Sequence, residues 1–117
     1  MSDNTPADDF QLPSISAESA LAEAAAGRLT LIDLRKPPAV HASGVRIQGA
    51  EVRDPFAFGH DDPLTLADKP LATFCVHGHE VSRFGCALLM LHGRDAVYVQ
   101  GGFAALQAAG ARLEHAE

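Results

Sequence analysis

The feature that most limits what this chain can fold into is the stretch from Leu71 to Met90, LATFCVHGHEVSRFGCALLM. It begins as a short apolar run rich in strand formers, ends that run on a cysteine, crosses a loop with one glycine and two histidines, and continues as an apolar pattern of helical length. Backbone N–H groups of such a loop and of the first helical turn lack intrahelical partners, so they favour a negative charge among them. The group delivered there is a thiol. A free cysteine titrates near 8.5, and helix N-termini or nearby cations lower that by about one to several units. Cys75 is therefore the candidate nucleophile. The competing reading, a small buried hydrophobe, is common for isolated cysteines, but the strand, loop and helix around this one weigh against it.

The rest of the chain alternates in the same way. Residues 1–13 read as a polar, acidic leader whose end, Phe10 to Pro13, is placed to dock. Ser16 is a helix cap before the alanine-rich run Ala17 to Ala26, which Gly27 stops. Leu29 to Asp33 is a continuous apolar run of the kind a strand buried on both faces shows. Pro37-Pro38 opens a short helix through about Ala42, ended by Gly44, and Ile47 to Arg53 reads as a turn into a second short strand. From Asp54 to Lys69 the pattern is a connection with at most one short helix, whose Phe56 and Phe58 could wall a pocket but read first as core anchors, because aromatics usually fill space. Leu71 to Cys75 is a third strand. The helix from Glu80 to His92 is apolar on more than one side and is expected to lie buried against a sheet. Ala96 to Gln100 is a fourth strand, Gly101-Gly102 turns the chain, and Phe103 to Ala109 is a last helix.

Strands alternating with helices predict one α/β domain over residues 14–112, with a tail at 113–117. The expected architecture is a mostly parallel sheet of four to five strands with helices on both faces. Sites in such sheets lie beyond the carboxyl ends of the strands, where Asp33 and Cys75 both fall.

Charge and composition narrow the function. A net charge of −6 argues against nucleic acid or an anionic membrane surface as a partner. No apolar run approaches the ~20 residues of a membrane span, and the first residues carry neither the basic nor the apolar region of a signal peptide. The cytoplasm is the expected compartment, and two cysteines, Cys75 and Cys86, fit a reducing one. Cys86 falls inside the helix about 9 Å along its axis from Glu80, an awkward reach for a disulfide to Cys75, and reads as core.

Four segments in order carry a resemblance to a known family. They are Leu31-Ile-Asp-Leu-Arg35, Gly44-Val-Arg-Ile-Gln-Gly-Ala50, the Cys75 loop with its helix, and Val97-Tyr-Val-Gln-Gly-Gly-Phe103. Together they resemble the rhodanese homology domain from about Ile15 to Gly110. The resemblance implies a small rhodanese-like three-layer fold and sulfurtransferase chemistry in which Cys75 carries a persulfide and no cofactor or metal is needed. By the same resemblance Val76, His77, Gly78, His79, Glu80 and Val81 form the loop whose amides cradle the transferred group. Asp33 and Arg35 match an acidic and basic pair after the early strand, and Gly101 and Gly102 match a glycine turn beside the site. The implied partners are a small sulfur donor and a thiol, cyanide or protein acceptor.

Some positions depart from the family's pattern. The glycine turn at Gly44 to Ala50 has an extra residue and no proline, and Leu106 stands where a tryptophan is often found. Loops suited to thiosulfate usually offer arginine, lysine or hydroxyls, whereas His77, His79 and Glu80 are expected to set a carboxylate before an anionic donor. A Cys-dependent phosphatase or arsenate reductase needs an arginine six residues after the cysteine to clamp an oxyanion; that position is Val81, and Arg83 comes two residues later. Cys75, His77 and His79 are permissible metal ligands but lack the paired spacing of structural zinc sites. A module that binds a protein or senses reactive sulfur without catalysis is the alternative from another class.

Overall fold

The computed structural model describes residues 12–54, 68–77 and 80–116. Among the described residues seven strands run in chain order: β1 Ser14–Ile15, β2 Thr30–Asp33, β3 Val45–Ile47, β4 Glu51–Val52, β5 Leu71–Phe74, β6 Ala96–Val99 and β7 Leu113–His115. Four helices in the described residues lie between them: α1 Ala17–Ala25, α2 Pro37–Ser43, α3 Glu80–Leu91 and α4 Gly102–Ala108. Five strands form one parallel sheet in the order β1-β6-β5-β2-β4, and β3 pairs with β7 in a separate antiparallel ribbon. The expected α/β fold with a mostly parallel sheet is what the chain adopts.

Local chemistry accounts for most boundaries. The Ser16 hydroxyl accepts the Ser19 N–H at 3.1 Å and caps α1. Pro37 and Pro38 occupy the first turn of α2, where a missing N–H costs nothing, and Gly44 closes it at a φ of 73°. Gly101 precedes α4 at a φ of 78°, and a methyl group there would stand 2.6 Å from the Ala105 Cβ. Gly101→Ala is expected to cost about 1–3 kcal/mol, from the left-handed backbone and the contact together, and to lower the thermal midpoint by several degrees. A melt unchanged within 1 °C would show that the turn tolerates a side chain.

The two faces of the sheet follow from the two-residue period of its strands. Leu31, Ala72, Phe74, Val97 and Val99 point to one face and pack with Ala17, Ala20, Phe103 and Leu106 of α1 and α4. Ile32, Leu34, Leu71 and Ala96 point to the other and pack with Cys86 and Leu89 of α3.

Three expectations need correction. Leu113–His115, read as a tail from the sequence, form β7 on β3, joined also by an Arg46–Glu114 ion pair at 2.8 Å, so ordered structure continues past residue 112. No strand is expected ahead of the Ser16 cap, yet Ser14–Ile15 form β1; Leu12 packs against the buried cluster of Ile32, Leu71 and Leu89, and the Pro13 carbonyl accepts the Tyr98 N–H. Helix α3 is not buried all round. Ser82, Gly85, Cys86 and Leu89 face the sheet, while Phe84 and Leu91 are 60% and 82% exposed, because the sheet covers only one side of it. Phe56, Phe58 and most of the connection between β4 and β5 lie outside the described residues.

Candidate active site

The site sits where the order of strands reverses. From β2 the chain passes through α2 and β3 to β4 on one side of β2; from β5, on the other side, it passes through α3 to β6. Loops that diverge in this way leave a crevice between two adjacent strand ends. Here the ends are those of β2 and β5, paired in parallel with Asp33 beside Phe74. The crevice is a cavity of about 710 Å³. Leu34, Arg35, Lys36 and Ala39 line it from the β2 side, and Cys75, Val76, His77, Glu80, Val81 and Arg83 from the β5 side.

Alternation along β5 decides where the thiol points. Leu71 and Thr73 face α3, so Cys75 does too. Its Sγ lies 3.4 Å from the Ser82 Oγ in the first turn of α3. The Thr73 hydroxyl donates to the Ser82 carbonyl at 2.7 Å and ties that turn to the strand. Cys75 is 8% exposed and lines the cavity. The loop is held from its other side as well. The Phe103 N–H donates to the Cys75 carbonyl at 2.7 Å and the Ala104 N–H to the Val76 carbonyl at 3.1 Å, so the glycine turn at Gly101 and Gly102 delivers α4 directly onto the loop.

Asp33 and Arg35 share the opposite face of the sheet by the same two-residue period. The Arg35 Nη2 donates to Asp33 Oδ2 at 2.8 Å, and its Nε lies 3.1 Å from both carboxylate oxygens. Asp33 also accepts the Arg35 backbone N–H at 3.0 Å. The guanidinium donates further to Ser43 Oγ and the Val45 carbonyl and lies 4.0 Å from the Phe103 ring centroid. Both side chains are at most 1% exposed. Asp33 is thus a structural anchor that holds Arg35 beside the cavity.

Of the residues singled out from the sequence, Cys75, Val76, His77, Glu80, Val81 and Arg35 meet at the cavity, Asp33 stands behind it, and Gly101 and Gly102 adjoin the loop. Gly78 and His79 lie outside the described residues. Two basic residues were not anticipated there. Lys36, one residue past the pair at the end of β2, and Arg83, one turn into α3 and stacked 5.1 Å from the Tyr98 ring centroid, also line the cavity. Glu80 lines the same cavity, so its rim carries both signs of charge. Cys86 is fully buried in the α3 core as expected, and burial pushes its thiol up to about 11.

Fold comparison gives the class. The chain has the fold of rhodanese-like domains: it resembles a rhodanese-related protein from Thermoplasma volcanium with 22% identity and a TM-score of 0.73, covering 87% of this chain and 97% of that one. It resembles a rhodanese-like domain protein from Staphylococcus aureus with 20% identity and a TM-score of 0.73, over 91% of this chain and 100% of that one. A further structure, a protein of unknown function from Rhodopseudomonas palustris described as a possible tyrosine phosphatase, matches with 20% identity and a TM-score of 0.75 over 97% and 99% of the two chains. No protein-family model matches the chain, and no curated protein matches it.

Proposed function

We propose that the protein is a sulfurtransferase that carries sulfane sulfur on Cys75. The observation that carries this reading is the place of Cys75: it lines a cavity at the reversal point of a rhodanese-like sheet, with Lys36 and Arg83 among the residues that line it too. The Cys75 thiolate attacks the outer sulfur of a donor; the bond from that sulfur to the leaving group breaks, and the leaving group departs with the electron pair as sulfite or a thiolate. The Cys75 persulfide rests in the cavity that Val76, His77, Glu80 and Val81 line with it. A thiolate or cyanide then attacks the terminal sulfur and restores the Cys75 thiolate, so no external oxidant or metal is consumed. The cytoplasm is the compartment that suits two free thiols. Among the described residues no helix is long and apolar enough to cross a membrane.

The test is intact mass after incubation with thiosulfate or glutathione persulfide, followed by addition of cyanide. One added sulfur atom, lost as thiocyanate on cyanide addition, supports the reading. No adduct with any donor transfers support to a non-catalytic binding module. A phosphatase would place an arginine at Val81, and Arg35, fully engaged with Asp33, is poorly placed to clamp an oxyanion instead. Turnover of a phosphate ester lost on removal of Cys75 would favour that reading.

Donor choice follows from the rim. With Arg35 balanced by Asp33, the remaining fixed charges lining the cavity among the described residues are Lys36 and Arg83 against Glu80. Glu80→Lys is expected to raise kcat/KM for thiosulfate roughly two- to tenfold at low salt, with the gain shrinking as salt is added, because exposed charges at this range are worth tenths to about 1 kcal/mol each. Steady-state kinetics at two ionic strengths measure it, and an unchanged or lower value would remove Glu80 from donor selection.

A further inference from the structure

We propose that Ser82 is a positioning residue for Cys75, one whose hydroxyl reverses its hydrogen bond when the thiol ionises and so holds the thiolate facing the cavity. The inference rests on the reading of Cys75 as the sulfur carrier and deepens it. Ser82 is fully buried, lies seven residues beyond Cys75, and meets it only because the strand period turns Cys75 toward α3.

In the neutral state the Cys75 S–H donates to the Ser82 Oγ across 3.4 Å. A hydroxyl is both donor and acceptor and turns freely about its C–O bond. Once the thiol proton has left to solvent, the same oxygen swings its hydrogen toward sulfur and donates to the anion. The turn that carries it cannot drift, because Thr73 on the strand that bears Cys75 grips the Ser82 carbonyl at 2.7 Å. Arg35, Lys36, His77, Glu80 and Arg83 are the charged and titratable groups that share the cavity with the sulfur from β2, α2, the loop and α3. Lys36, His77, Glu80 and Arg83 are exposed and Arg35 is buried in its pair with Asp33; Ser82 meets the sulfur from the buried side, where a hydrogen bond to an anion is worth most.

The test reads the thiol without any sulfur donor. The rate of iodoacetamide alkylation of Cys75, located by peptide mass, is followed from pH 5 to pH 10 in the wild type, Ser82→Ala and Ser82→Thr. A hydrogen bond to a charged group shifts a titration by about one to two pH units. Because a more basic thiolate is also more nucleophilic, the net loss of rate well below the midpoint is about three- to tenfold. Ser82→Ala is expected to show that loss with its midpoint moved to higher pH, and Ser82→Thr to keep the wild-type profile. Equal profiles for Ser82→Ala and wild type, or an equal shift in Ser82→Thr, overturn the proposal. If Ser82→Ala does not fold, the S–H stretching band of wild-type Cys75, isolated by difference from Cys75→Ala, takes its place. A band lowered from that of a free thiol supports the contact, and an unlowered one overturns it. Failure of sulfur loading with a normal alkylation shift would sink the sulfurtransferase reading and leave this one standing.

Discussion

Cys75→Ser is expected to lose sulfur transfer to cyanide by roughly 10³-fold or more while melting close to the wild type. The substitution keeps the volume nearly constant and keeps a hydrogen-bonding group 3.4 Å from Ser82, so the fold has little reason to respond. Chemistry responds because a serine hydroxyl is not ionised near neutral pH and cannot store sulfur as a persulfide. Cys86 is no substitute. It is fully buried in the α3 core, and its thiol is pushed up to about 11 by that burial, so it stays protonated where Cys75 works. Thiocyanate formation and intact mass together measure the outcome. A variant retaining more than a tenth of wild-type transfer would mean that sulfur moves through the pocket without resting on Cys75.

The second large effect concerns stability. Asp33→Ala is expected to destabilise the protein by about 3–5 kcal/mol, because it leaves the Arg35 guanidinium buried without its counter-charge. For a chain of 117 residues that is a fall in thermal midpoint of roughly 10–20 °C. The loss comes from the orphaned charge more than from any net strength of the pair. Replacing both partners, Asp33→Leu with Arg35→Met, should therefore recover much of it. Calorimetry of the single and double variants decides: a loss below 1 kcal/mol in Asp33→Ala would show that water or another carboxylate reaches Arg35.

Which features were legible in the sequence depended on whether their cause is local. Helix α1 announces itself through Ser16 and its alanines, α2 through Pro37 and Gly44, and β5 through a run of apolar residues, and each lies where local chemistry puts it. Strands β1 and β7 are two and three residues long and exist through partners more than sixty residues away, Tyr98 for Ser14 and Arg46 for Glu114. No window of sequence holds that signal. The rim of the cavity escaped for a similar reason: Lys36 and Arg83 come from separate elements and meet only because β2 and β5 are neighbours. Ser82 was within reach, since counting by twos from Leu71 through Thr73 turns Cys75 toward the helix that carries it. The outer face of α3 misled because an apolar count does not say how much of a helix a sheet will cover; Phe84 and Leu91 fall outside that cover.

The hydrogen bonds from Phe103 and Ala104 to the carbonyls of Cys75 and Val76 have a consequence for biosynthesis. The loop that shapes the sulfur's surroundings is clamped by residues made almost thirty positions later, and the central sheet gains β6 only just before them. A chain still being translated thus carries Cys75 unclamped until Phe103 and Ala104 have left the ribosome. Premature termination near Gln100 yields a polypeptide with Cys75 present and the residues that clamp its loop missing.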